Sequence, residues 1–90
     1  MEFNTENGRI WLENKDGKMT AEVVFPSEDE NTVNITHTFV DDSLRGQGIA
    51  AKLMEAVSDK LRLDGKKAVL TCSYAKAWFP KHPQYKDVVK

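Results

Sequence analysis

The sequence predicts an α/β protein, an α+β mixed sheet in the order β-β-β-α-β-α, and three observations carry that prediction. The first is apolar/polar alternation in the N-terminal half, the pattern of strands with one face against a core. In "KMTAEVVF", Met19, Ala21, Val23 and Phe25 share a face opposite Lys18, Thr20 and Glu22; in "TVNITHTFV", Val33, Ile35, His37 and Phe39 share one opposite Asn34, Thr36 and Thr38. The second is a change of period after Gly48, where Ile49, Leu53, Met54, Val57 and Leu61 follow helical spacing. The third is the apolar run in "KKAVLTC" beyond that helix, which a crossover connection sets parallel to the strand before it.

The elements follow in order. "GRIWLEN" reads as a first strand, and the Asp16-Gly17 pair of "NKDGK" is a two-residue hairpin signal joining it to the second. "PSEDEN" reads as an acidic turn into the third strand, which completes an antiparallel meander with one face buried. "DDSLRGQG" interrupts the pattern before the helix, and Gly65 after "LRLD" is suited to ending it. The tail "SYAKAWFPKHPQYKDVVK" begins helically and breaks near Pro80 and Pro83. Ninety residues without repeat, linker or low-complexity segment suggest one domain, 1–90.

Composition narrows the class further. With 40% hydrophobic and 30% charged residues the chain resembles an ordinary globular protein. No apolar run approaches a membrane span, and "MEFNTENGRI" lacks the basic and apolar regions of a signal peptide. The single cysteine, Cys72, excludes an internal disulfide framework and fits a reducing compartment. The expectation is a cytoplasmic protein without membrane contact, for which the sequon at Asn34 carries no meaning.

Charge is divided unevenly. Residues 1–44 hold ten acidic against three basic side chains, a balance of −7, and residues 45–90 hold four against ten, a balance of +6. The sign changes at Arg45, beside Gly46-Gln47-Gly48 and the start of the helix. A helix N-terminus leaves unpaired amides and a partial positive charge, glycines let a backbone approach an anion, and arginine adds a fork of donors. The same stretch is also compatible with a plain turn into a helix. It is not a P-loop, for GxxxxGK[ST] is absent, and a dinucleotide fingerprint is missing its last glycine and the acidic residue that should follow.

The segment "VDDSLRGQGIAAKL" resembles the signature Q/R-x-x-G-x-G/A of the GCN5-related N-acetyltransferases, with Arg45, Gly48 and Ala50 at its fixed positions. With the strand "HTFV" and the segment "TCSYAKAWFPKHPQYKDVV", the likeness narrows to a short, single-domain branch of that superfamily marked by HT-x-V and C-x-[YF]. It runs from Asn31 to Val89. It implies acetyl-CoA (coenzyme A) as cosubstrate, with Arg45, Gly46, Gln47, Gly48, Ile49 and Ala50 around its pyrophosphate. Phe39 and Val40 on the preceding strand would lie along its pantetheine arm. The superfamily's second half, which completes the acceptor groove, is missing from this branch, so an open groove is expected to admit a peptide lysine or another bulky cationic amine.

Moving an acetyl group from a thioester to an amine requires deprotonation of the amine, polarisation of the carbonyl and care of the departing thiolate. Larger members supply a tyrosine acid in N-x-x-A-x-x-L-Y, where this chain has Phe79. Cys72 is the candidate substitute, either as proton donor or as acetyl carrier. It falls at the end of a parallel strand before a helix, where ligands bind and the helix dipole favours a thiolate. His37 is the candidate base. Both also have plain structural readings, a small buried hydrophobe and a core histidine. Tyr74 is the nearest remaining phenol, and Tyr85 a candidate cap over the site. His37, Cys72 and His82 lack metal-site spacing, so no metal is expected, and no clustered basic patch points to nucleic acid. A non-catalytic CoA-binding or regulatory module is the alternative. A monomer is compatible with either.

Overall fold

The computed structural model describes residues 2–90. Seven strands and two helices appear: β1 (Asn4–Glu6), β2 (Arg9–Glu13), β3 (Met19–Val24), β4 (Ser27–Asp29), β5 (Thr32–Ile35), β6 (His37–Val40), α1 (Ile49–Asp64), β7 (Lys67–Leu70) and α2 (Ser73–Trp78). A 3₁₀ turn at Asp42–Leu44 leads into the glycine loop, and two more, Phe79–Lys81 and Pro83–Val88, form the tail. No described helix is long and apolar enough to cross a membrane.

The mixed α+β architecture expected from the alternation and the period change is present, with more strands than the periodicity suggested. β1 is polar and exposed throughout, so it has no alternation to reveal it; it pairs with β2 in register Thr5↔Ile10. The acidic segment after Pro26 forms the short β4 against β5 rather than only a turn. The Asp16-Gly17 hairpin is built as its composition dictates. Asn14 Oδ1 accepts from the amides of Asp16 (2.9 Å) and Lys18 (3.0 Å), and Gly17 takes a φ of 81°.

The third strand of the meander is not continuous. Up to Ile35 it runs parallel to β7, in register Val33↔Ala68 and Ile35↔Leu70. From His37 it leaves β7 and pairs antiparallel with β3, in register Val23↔Thr38 and Ala21↔Val40. Thr36 lies between the two and donates its amide to Val24 O at 3.1 Å. Two sheets result, ordered β1-β2-β3-β6 and β4-β5-β7. One residue outside the ladder reverses the alternation downstream of it. Val33 and Ile35 are buried, but beyond Thr36 the exposed residues are His37 and Phe39. The expectation that all four share a core face is therefore corrected.

α1 closes one side of this sheet. Ile49, Leu53, Met54, Val57 and Leu61, the apolar stripe of the sequence, are at most 1% exposed and meet Ile10, Leu12, Ala21, Val23, Phe25 and Ile35 in the core. Ser58 lies among them, its hydroxyl donating to Met54 O at 2.8 Å. Gly65, with φ 70°, ends the helix: its amide donates to Arg62 O and that of Lys66 to Leu61 O, the two bonds of a Schellman motif. The tail returns over α1 and β7. Trp78, Phe79 and Val88 enter the core, and the Lys90 amide donates to Ala68 O at 2.8 Å.

Candidate functional site

Two features of the backbone meet at one end of the sheet. The first is a wedge, opened because β6 turns to β3 while β7 stays with β5. The amides of Thr71 and Cys72 both donate to Ile35 O, at 3.1 and 2.9 Å, the last main-chain bonds before the divergence. Beyond them Thr38 on β6 and Cys72 after β7 face each other, with Oγ1 and Sγ 3.4 Å apart. Cys72 is buried, 8% exposed, and caps α2 with its carbonyl, which accepts the Lys76 amide at 3.0 Å.

The second feature is the start of α1. Gly48 is the N-cap, in a left-handed conformation (φ 70°, ψ 24°), and offers no side chain to the first-turn amides. Lys52 is the first residue whose amide returns to it, at 3.1 Å. The early amides are therefore left for an external acceptor, beside the positive end of a 16-residue helix. Gly46 also has a positive φ, 80°, and a Cβ added at either glycine would meet nothing within 4 Å. The glycines are demanded by conformation, and the space over them is open.

A cavity of about 210 Å³ lies over this loop, lined by Val40, Leu44, Arg45, Gly46, Gly48, Ile49, Ala50, Ala51 and Tyr74. Six of the eight residues expected to hold a cosubstrate are thus brought together. The other two, Phe39 and Gln47, are not in its lining; Phe39 points to the opposite face of the sheet, across from Glu22 and 38% exposed. Leu44, Ala51 and Tyr74 went unassigned to the cradle at the sequence level. Tyr74 did carry a signal, as the aromatic position of C-x-[YF]. Partial burial raises its phenol above the ordinary value, which keeps it protonated at neutral pH.

The remaining candidates separate. His37 is exposed on the outer face of β6, which strand alternation sets opposite Thr38 and Cys72. That face also carries Trp11, with the Arg9 guanidinium 4.0 Å above its ring, and Glu22, which accepts from Arg9 Nε. His82 belongs to the tail: its ring stacks on Trp78 at 3.8 Å and its Nδ1 is 2.8 Å from Trp78 O. Tyr85 stacks on Trp78 from farther off, 5.7 Å between centroids, and packs under Arg62. Tyr85 is thus part of the tail packing, absent from the lining of the cavity. No group of three or more His, Cys, Asp or Glu among the described residues could hold a metal ion.

Residues 9–88 match the family model of the GCN5-related N-acetyl-transferases. The chain belongs to that family. Among N-acetyltransferase-like structures, the solution structure of a GCN5-like protein from Staphylococcus aureus is 32% identical with a TM-score of 0.81, covering 99% of this chain and 87% of the other. An Escherichia coli GNAT-family N-acetyltransferase, YhbS, solved in complex with CoA, shares the fold at 24% identity and a TM-score of 0.67, over 81% of this chain and 43% of its own. Protein NATD1 of Xenopus tropicalis is 39% identical over 54 residues, 60% of this chain and 50% of that protein, so the match spans half the length of this curated relative.

Proposed function

We propose that this chain is an acetyl-CoA-dependent N-acetyltransferase whose acceptor is a cationic amine, such as a peptide lysine. The observation that carries the proposal is the cavity over the Arg45–Ala50 loop, where free amides, a helix N-terminus and a guanidinium converge beside the wedge. These residues suit a diphosphate: the donors are in place, and no side chain fills the space above the glycines. Arg45, Gly46, Gln47, Gly48, Ile49 and Ala50 hold that group. Val40 and Tyr74 wall the adjoining arm, and Phe39 and Val40 offer main-chain groups along the edge of β6 turned away from β3.

Acetyl-CoA, when bound, would supply an acetyl thioester whose C–S bond breaks as the acceptor's C–N bond forms in direct transfer, or as a bond to Cys72 Sγ forms, itself cleaved when the acceptor's C–N bond is made, in carriage. Cys72, at the wedge beside Thr38, gives up its proton to the departing sulfur or carries the acetyl group between the two partners. His37 faces away from the wedge, so solvent receives the proton that the acceptor loses. The acidic half of the chain favours a cation as acceptor.

Thermal unfolding with and without acetyl-CoA tests the cosubstrate. A ligand at 100 times its Kd adds about 2.7 kcal/mol to stability, so a melting temperature unmoved by millimolar acetyl-CoA would sink the proposal. Acetylation of basic peptides and polyamines tests the reaction, and Cys72 variants test its chemistry. Cys72→Ser keeps a proton to donate, whereas Cys72→Ala does not. Residual turnover in the first alone supports proton donation, loss in both with CoA binding intact supports acetyl carriage, and full turnover in both removes Cys72 from the reaction.

A further inference from the structure

We infer that Asp42 is a built-in counter-ion of Arg45, displaced when the cosubstrate's phosphate enters the cradle and re-engaged as the product leaves. The inference rests on the cosubstrate reading above. The segment that leads into an anion cradle carries two carboxylates, Asp41 and Asp42, for the one guanidinium of Arg45. Asp41 is already committed. Its carboxylate accepts from the Ser43 hydroxyl at 2.6 Å and the Ser43 amide at 3.1 Å, bonds that hold it below the usual carboxylate range. Asp42 has a different partner: its Oδ1 forms an ion pair with Arg45, 2.9 Å from Nε.

The local backbone builds this pair. Asp42 and Arg45 are three residues apart across the 3₁₀ turn, in which side chains at i and i+3 eclipse, and the Arg45 amide donates to Asp42 O at 3.1 Å. The side chains are 85% and 80% exposed, so water competes for both charges and the pair is weak. Arg45 also lines the cavity. The diphosphate carries two negative charges against the one of a carboxylate and accepts from a guanidinium bidentately, so it takes Arg45 from Asp42 at little cost. The carboxylate remains tethered nearby and competes for Arg45 whenever the phosphate loosens. Asp42 is therefore a positioning residue that trades affinity for release.

Binding of CoA, measured by calorimetry and by stopped-flow dissociation, tests this on four proteins: wild type, Asp42→Asn, Arg45→Gln and the double variant. Asp42→Asn is expected to tighten CoA binding about two- to five-fold, the range reached by exposed ion pairs. The gain should come chiefly from slower dissociation, and it should shrink in high salt. In the Arg45→Gln background it should disappear, because the competition runs through the guanidinium. Wild-type binding with Asp42→Asn no tighter overturns this inference and leaves the cosubstrate reading standing. A gain that persists without Arg45 also overturns it, since that is repulsion without exchange. Wild type that binds no CoA overturns both.

Discussion

At Gly48 a single residue joins the fold to the proposed function. Its left-handed backbone turns the chain into α1 with no side chain over the free amides, and a Cβ there would enter open space. Gly48→Ala should cost about 1–2 kcal/mol, the penalty of a left-handed conformation for a side chain, and should weaken CoA binding. Gly17→Ala is the control: it has a similar φ, 81°, in the β2–β3 hairpin and is absent from the lining of the cavity over the glycine loop, so it should lower the melting temperature comparably and leave CoA binding unchanged. Equal loss of binding in both would show that the effect of Gly48 is strain alone. Both glycines were legible in the sequence, because a glycine before an apolar helical stripe and an Asp-Gly between strands each signal a backbone need. His37 was not. Its face depends on the step at Thr36, and nothing in uninterrupted alternation marks where a ladder changes partner.

Among the elements, α1 was the most legible, since its period, its start and its end each carry a separate signal. The tail was the least. Its 3₁₀ turns are held by contacts with α1 and β7 that no local pattern records. Arg62 on α1 donates to both oxygens of Asp87 and to Gln84 O, and its guanidinium lies 5.2 Å over the Tyr85 ring. The hydrogen bonds from Arg62 hold the Asp87 carboxylate below its ordinary range. A carboxylate depressed in the folded state contributes stability above its unfolded pKa and loses it as the pH falls through the folded value. The clasp should therefore hold at neutral pH and loosen under acid, below the ordinary carboxylate range. Hydrogen exchange across residues 83–90 should rise there, and Asp87→Asn should abolish that step. An acid profile identical in the variant would assign the transition to other carboxylates.

Across the whole molecule, the charge division and the sheet complement each other. The acidic half supplies the strands of β1-β2-β3-β6, whose outer face carries His37 and Phe39, and the basic half begins at the Arg45–Gly48 loop. For the proposed reaction this separates an acceptor side from a cosubstrate side. Acetylation of a lysine-rich peptide should exceed that of a neutral amine of equal size, with kcat/KM falling as ionic strength rises from about 0.01 to 0.15 M, over which the Debye length shrinks from about 30 to about 8 Å. Rates indifferent to salt and to acceptor charge would remove the acidic half from substrate attraction.

The sequence alone determined what depends on neighbours along the chain: the alternating strands, the apolar stripe of α1, the turn glycines, and the loop chemistry suited to an anion. Its resemblance to the acetyltransferases extended that to a family, which the match over residues 9–88 established. Tertiary structure alone decided what depends on distant segments. It split the third strand at Thr36, turned His37 and Phe39 outward, and set Cys72 against Thr38, 34 positions earlier. It also placed Tyr74 in the wall of the cavity over the glycine loop. The physical reason is that alternation and helical period report which side of an element is apolar, whereas the meeting of two elements is settled by ladder pairing and core packing.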